Sequence, residues 1–350
     1  MPARSARAEP SVCETPEVIE RIRNRIRPPL LVVLGSPREV VELLARTEVQ
    51  EATCFQLDLY QADRLHEELA QRGLAARVVT APDLWDLPAD FQTALYLPPQ
   101  GGERDLKIDM VEQAFHVLPF RGQLIVLSPF EKDQLFPALL KKVFHGVRAS
   151  PAGEGTLFWC QRERERPRRR HEVTFHARVG EAPSLCFLSR PGVFSYGRFD
   201  DGARALVETM TIEPGERVLD IGCGCGTNGI FAGKRNGPDG HVTLVDSNLR
   251  AIALAELNAT ANGLTRFETL GSCRLDDLPR AAFDVALANP PYYAQTSIAL
   301  SFIECARRSL KPGGRLYLVT KQPEQVGPIV AEHFGPAEAV ERRGYVVLCA

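Results

Sequence analysis

The chain has 350 residues, 44% hydrophobic and 25% charged. That suffices for two compact domains and excludes a fibrous or disordered chain. Lys and Arg total 42 against 44 Asp and Glu, a formal net charge of -2. This excludes a uniformly basic nucleic-acid binder, although a local basic patch remains compatible. No run approaches the roughly 18 apolar residues of a membrane span. The opening MPARSARAEPSVCETPEV has no apolar signal core and is rich in Glu, so a cytoplasmic location is expected. The nine cysteines form no CxxC pair and no His-flanked cluster, so no metal site is expected and free, buried thiols are.

Short apolar runs alternate with helix-compatible segments along the chain. The first half predicts strands at 30–34, 53–56, 76–79, 93–96 and 123–127; the second predicts them at 217–220, 241–245, 266–269, 285–288 and 315–319. Apolar strands separated by crossover helices imply parallel sheets. The expected fold class is α/β, with two tandem doubly wound Rossmann-like domains.

The halves repeat one another. Ala114, Leu118 and Gly122 precede one apolar run; Ala306, Leu310 and Gly314 precede another at the same spacing. The second residue of each Pro-Pro pair, Pro99 or Pro291, lies 23 residues before its glycine. An acidic residue, Asp58 or Asp246, is expected to close a strand upstream of each pair. These matches imply an internal duplication. The halves differ where chemistry would lie. The first has Leu34-Gly35-Ser36-Pro37 and Leu97-Pro98-Pro99-Gln100; the second has Asp220-Ile221-Gly222-Cys223-Gly224-Cys225-Gly226 and Asn289-Pro290-Pro291-Tyr292. Domains are expected at 1–180, degenerate and silent, and 181–350, catalytic.

The join, residues 160–178, carries six arginines and two glutamates between 162 and 170, a net +4. It reads either as a solvated linker or as a strip contacting phosphates. The alternating Arg-Glu part would pair internally. Arg168, Arg169 and Arg170, with no acidic residue before Glu172, are the better RNA-binding candidates.

Glycines 222, 224 and 226 follow a strand and allow the backbone close to a ligand. They fit a dinucleotide loop or an S-adenosylmethionine loop equally, and a tight strand-to-helix turn is the plain alternative. Asp246 stands 24 residues after Gly222, where a carboxylate can accept ribose hydroxyls or cap a helix. Asn289-Pro290-Pro291-Tyr292 discriminates. The lone pair of a planar exocyclic amine is delocalised. The Asn289 side-chain oxygen and the Pro290 carbonyl can accept its two N–H bonds, and Tyr292 can stack on the ring. An ordinary Asn-Pro turn is the alternative.

These residues resemble class I S-adenosylmethionine-dependent methyltransferases. More narrowly, they resemble the bacterial rRNA guanine-N2 methyltransferases of the RsmC and RlmG type. Pro191-Gly192-Val193-Phe194-Ser195, with Asp200-Asp201-Gly202-Ala203 beyond, resembles that family's stretch before the cofactor loop. Residues 218–226 resemble the loop itself, and Asn289-Pro290-Pro291-Tyr292 its NPPF motif. The resemblance covers roughly 185–350 directly and extends to the whole chain in architecture, because the family has a degenerate N-terminal domain. It implies that Asp220 and the backbone at Gly222, Gly224 and Gly226 hold the methionine part of the cofactor. Asp246 would hold the ribose, Ser272 or Cys273 the adenine, and Asp200 would order the loop above. Asn289, Pro290 and Tyr292 would hold the target base. The implied substrate is ribosomal RNA or a ribosomal subunit. This chain has Tyr292 and Tyr293 where the family has Phe and His, and Tyr also occurs in adenine-N6 and protein-glutamine methyltransferases. A methyltransferase of another planar amine, a non-catalytic RNA-binding or assembly factor and, more distantly, a nicotinamide dehydrogenase are the competing readings.

Overall fold

The computed structural model describes residues 16–291 and 296–350, and the chain divides into two compact units between His171 and Glu172. In the N-terminal unit the strands are β1 (Leu30–Val33), β2 (Ala52–Gln56), β3 (Ala76–Thr80), β4 (Thr93–Tyr96), β5 (Gln123–Ser128), β6 (Arg148–Ala152) and β7 (Gly155–Gln161). They order as β3-β2-β1-β4-β5-β7-β6. The first five are parallel; β6 and β7 run antiparallel. Its helices are α1 (Pro16–Arg23), α2 (Pro37–Thr47), α3 (Leu59–Gln71), α4 (Arg104–Val117) and α5 (Phe136–Phe144).

The C-terminal unit begins with a hairpin, β8 (Val173–Ala177) and β9 (Leu185–Ser189), then α6 (Asp201–Thr209). Its main sheet holds β10 (Arg217–Ile221), β11 (His241–Asp246), β12 (Phe267–Gly271), β13 (Phe283–Ala288), β14 (Leu310–Thr320), β15 (Glu338–Arg342) and β16 (Tyr345–Cys349). Their order, β12-β11-β10-β13-β14-β16-β15, repeats the first sheet strand for strand. Helices α7 (Thr227–Arg235), α8 (Leu249–Ala261), α9 (Thr296–Ser309) and α10 (Pro323–Phe334) cover it. Both faces of each sheet are packed, as the continuous apolar runs require: Leu30–Val33 and residues 218–221 are buried throughout.

All ten expected strands are present. Among the described residues, six further strands pair antiparallel: a two-stranded extension at one edge of each sheet, and the β8–β9 hairpin. The join is therefore not a plain linker, since β7 ends inside residues 160–178 and β8 begins there.

The expected match of Asp58 with Asp246 is corrected by register. Val33 pairs with Phe55 as Ile221 pairs with Val245, so Gln56 corresponds to Asp246. Asp58 corresponds to Asn248. Each is the N-cap of the helix that follows, accepting backbone N–H groups of its first turn. A second correction concerns the thiols. Cys54, Cys160, Cys223, Cys225 and Cys305 are buried, but Cys186 is exposed, on the outward face of β9, and Cys273 and Cys349 are half-buried.

Two asparagines one turn apart, Asn258 on α8 and Asn262 at its C-cap, fix the hairpin. Asn258 accepts from the Leu188 N–H (2.7 Å) and donates to the Leu188 carbonyl (2.9 Å). Asn262 repeats this with Cys186, at 3.1 and 2.8 Å. Side-chain amides thus act as a neighbouring strand along β9. The stacked rings of Phe175 and Phe187, 5.4 Å apart, close the hairpin onto the core beside Phe231.

Candidate active site

In the C-terminal sheet, β10 and β13 are adjacent, and the strand order reverses between them. That crevice, beyond the carboxyl ends of the strands, is where open α/β sheets bind ligands. Ile221 and Ala288 are paired across it, so Gly222 and Asn289 leave the sheet side by side.

Gly222, Gly224 and Gly226 adopt φ of 70°, 56° and 90°, a region costly for residues with a Cβ. Gly222 and Cys223 donate to the Val245 carbonyl at 2.8 and 2.9 Å, which laces the loop to β11. A Cβ on Gly222 would lie 2.9 Å from the Phe302 ring of α9, whereas one on Gly224 would meet nothing within 4 Å. Gly224 is the residue whose backbone faces open space.

Asp220 lies beneath the loop and is fully buried. Its Oδ2 accepts the Gly229 N–H (2.7 Å) at the start of α7, while its Oδ1 has no hydrogen-bond partner. Burial, reinforced by the Asp246 carboxylate, pushes its pKa up to about 7. Asp246 closes β11 and accepts from Gly224 N–H through Oδ2 (2.8 Å) and from Asn248 N–H through Oδ1 (2.9 Å). Burial also pushes the Cys225 thiol up to about 12 and Cys223 well above the usual range, so neither is a thiolate at neutral pH.

Residues 190–195 are held over this end of the sheet. The buried Arg250 donates to the Pro191 carbonyl (2.6 Å), and the Asn248 amide donates to Gly192 (2.8 Å). Phe194 remains exposed beside them. Ser272 follows β12 and donates its N–H to the Asp246 carbonyl (3.0 Å), but its hydroxyl bonds within its own turn, to Arg274.

Asp200 lies directly before α6. It is the N-cap of α6, where Oδ2 accepts from the Ala203 N–H (2.8 Å) and from Asn289 Nδ2 (3.2 Å). Of the residues singled out in the sequence, Asp200, Asp220, Gly222, Gly224, Gly226, Asp246 and Asn289 are brought to the strand ends of this unit, with Pro290 next along the chain. Tyr292 and Tyr293 lie outside the described residues. Sequence reading missed Arg250, Asn248 and Asn258; their apolar or Asx-turn surroundings gave no signal of a remote backbone partner.

The N-terminal unit reverses the polarity of this loop. Gln56 Nε2 donates to the Gly35 carbonyl (3.0 Å), where Asp246 accepts from a loop N–H. Ser36, the next residue, is spent capping α2 with Glu39.

The arginine segment folds back on its own unit. Arg162 bonds Glu165 (2.7 Å) and lies 4.9 Å over the Phe115 ring; Arg166 reaches Glu112 (3.6 Å). Burial opposes the charge on Glu112, but His171 at 3.0 Å and Arg166 and Arg169 hold its pKa below the usual range. Arg168, Arg169 and Arg170 are exposed, with Arg168 5.6 Å over the Trp85 ring. Burial and Arg168, Arg162 and Arg166 together lower His116 to about 4. Among the described residues, no three His, Cys, Asp or Glu side chains gather as a metal group, and no helix is long and apolar enough to cross a membrane.

An acidic strand end, a glycine loop and Asn-Pro-Pro thus meet at the crevice of this Rossmann-like sheet. Residues 184–349 match the family model described as the methyltransferase small domain. The chain is 34% identical over 161 residues to a "Ribosomal RNA small subunit methyltransferase C" of Hahella chejuensis, covering 45% of this chain and 46% of that one. A protein of the same name from Pseudomonas fluorescens is 35% identical over 170 residues, covering 47% and 50%. The chain thus spans about half the length of the curated relatives it matches. In architecture the likeness is wider. A solved structure described as "T. Thermophilus 16S rRNA N2 G1207 methyltransferase (RsmC) in complex with AdoMet and Guanosine" superposes with a TM-score of 0.73 at 22% identity, over 95% of this chain and 91% of that one. Both units therefore share the tandem Rossmann-like fold of that structure.

Proposed function

We propose that this protein transfers a methyl group from S-adenosylmethionine to the exocyclic N2 amine of a guanine in ribosomal RNA. The observation that carries the reading is the meeting of the 222–226 loop with Asn289 at the crevice between β10 and β13. The names of the relatives support the rRNA substrate, and the bound AdoMet and guanosine of the similar structure support the pair of ligands.

The residues fit the cofactor. A buried carboxylate oxygen of Asp220 lacks a partner, and the backbone at Gly224 borders open space. When bound, S-adenosylmethionine supplies a methyl group activated by its sulfonium. Asp220 and the backbone of Gly222, Gly224 and Gly226 would hold its methionine portion, Asp246 its ribose, and Ser272 or Cys273 its adenine. Asn289 Oδ1 and the Pro290 carbonyl would accept the two amine N–H bonds, which turns the nitrogen lone pair out of conjugation and aims it. Tyr292 would stack on the base. Catalysis by this chain is then positioning and lone-pair localisation.

The N-terminal unit would dock RNA through Arg168, Arg169 and Arg170. A cytoplasmic location follows from the substrate. The test is methyl transfer from labelled S-adenosylmethionine to small subunits, large subunits and deproteinised rRNA, with Asn289→Ala as control and nucleoside mass analysis. N2-methylguanosine that vanishes in the control is expected. N6-methyladenine or methylglutamine instead would overturn the substrate and favour the reading that Tyr292 left open.

A further inference from the structure

We propose that Asp200 is a positioning residue that fixes the sense of the Asn289 side-chain amide and so makes the site selective for an N–H donor. The proposal rests on the reading of this site as an amine methyltransferase. A carboxylate oxygen only accepts hydrogen bonds, so the group facing Asp200 Oδ2 at 3.2 Å is the Asn289 NH2. Its oxygen is then turned the other way. The cap anchors the carboxylate itself, because the same Oδ2 takes the Ala203 N–H at 2.8 Å. Asp200 thereby ties the start of α6 to the end of β13.

The approach is close because Gly202 lacks a side chain. A Cβ there would lie 2.9 Å from Asp200 Oδ2, 3.0 Å from Tyr345 Cε1 and 3.3 Å from Asn289 Oδ1. Asp200, Tyr345 and Asn289 thus converge on Gly202, which leaves no room for a side chain between them, and Lys321 stands 4.5 Å over the Tyr345 ring. Without Asp200 the amide could rotate by half a turn and offer NH2 to the substrate. That orientation suits a ring nitrogen or carbonyl, not an amine. With Asp200 the oxygen alone is offered, and donation to the carboxylate polarises the amide and strengthens that oxygen as acceptor.

The two variants of choice separate the cap from the lock. In Asp200→Asn a single side-chain oxygen can still accept from both Ala203 and Asn289. In Asp200→Ser the hydroxyl still caps α6 but is too short to reach Asn289. The protein is assayed as the full chain. The expected result for Asp200→Ser is a kcat lower by about 100-fold, typical of a misaligned reacting group, with S-adenosylmethionine affinity by calorimetry unchanged. Asp200→Asn should restore most of kcat, and Asp200→Ser should cost nothing further in an Asn289→Ala background. A loss of cofactor affinity with kcat unchanged would show instead that Asp200 orders the cofactor loop, and equal behaviour of the two variants would also overturn the lock. A wild-type chain that methylates no rRNA sinks the substrate reading, not this one. For that case the Asn289 side-chain NH2 signal is followed by NMR, assigned by its loss in Asn289→Ala. It should move in Asp200→Ser and stay in Asp200→Asn; a signal indifferent to both refutes the contact.

Discussion

Asp220→Asn should make the unliganded C-terminal unit more resistant to unfolding as pH rises, while weakening cofactor binding. Asp220 is fully buried, with one oxygen on the Gly229 N–H at 2.7 Å and the other unpartnered. Its pKa of about 7 in the folded chain compares with about 3.9 in an unfolded one. The folded state therefore binds this proton more tightly. Its contribution to stability is complete below about pH 4 and is lost as pH climbs through about 7. Three pKa units at roughly 1.4 kcal/mol each set a ceiling of about 4 kcal/mol at pH 8. Any rearrangement that admits water lowers it. The Asn side chain keeps an oxygen for Gly229 and cannot ionise. Its new NH2 is buried at a cost that does not vary with pH, so the slope is the signature. Urea unfolding at pH 5, 6, 7 and 8, followed by circular dichroism, should give a variant-minus-wild-type difference that grows by up to about 1.4 kcal/mol per pH unit and flattens above 7. Both tryptophans, Trp85 and Trp159, lie in the N-terminal unit, so their fluorescence is an internal control that should not respond. Calorimetry should show S-adenosylmethionine affinity reduced by about tenfold or more, as for loss of a charged hydrogen-bond partner. Parallel pH slopes for variant and wild type would refute the argument that burial of this carboxylate holds its proton.

Two further outcomes are expected. Replacing Arg168, Arg169 and Arg170 with Ala should weaken RNA binding and make its salt dependence shallower by about 2–3, one step near 0.7–0.9 for each lost phosphate contact; an unchanged slope removes the strip from the interface. Gly229→Ala places a Cβ 2.3 Å from Leu244 Cδ2 and 3.0 Å from Asp220 Oδ2. Overpacking here should outweigh the helix propensity gained and cost about 1–3 kcal/mol in urea unfolding, and a neutral or stabilised variant would show that this contact has slack.

The inner parallel strands were legible because they are apolar runs buried on both faces, with the partly exposed β3 and β12 at the sheet edges marked by their spacing, and Asn289 because Asn-Pro-Pro-Tyr follows one of those runs. The antiparallel edges were not. Glu338–Arg342 and Arg148–Ala152 are mostly exposed and polar or mixed, as edge strands are, so they lack the run that marks an inner strand. Asp200 was found in the sequence, but its contact with Asn289, 89 positions away, leaves no local trace. The Asp58 mismatch has the same origin. An Asp at a helix N-cap and an Asp at a strand end look alike in sequence, and only register separates them.

That register bears on how many cofactors the chain can hold. In the N-terminal unit the turn after β1 is short: Leu34 and Gly35 take φ of 55° and 93°, and Ser36 already caps α2. The C-terminal loop spends five residues, 222–226, before its helix, three of them glycines with positive φ. Gln56 clamps the Gly35 carbonyl, so the N-terminal turn offers a satisfied acceptor where the other offers a backbone facing open space. A Cβ on Gly35 would already touch Val40 at 3.0 Å and Leu97 at 3.3 Å, leaving no cradle. An acidic residue alone cannot rebuild this, because a carboxylate at position 56 would face the Gly35 carbonyl and find no N–H to accept. Calorimetry should therefore give one S-adenosylmethionine per chain, and Gln56→Asp should leave that stoichiometry at one while lowering the stability of the N-terminal unit. Two sites per chain, or a second site gained in Gln56→Asp, would refute this and mean that the short turn can open.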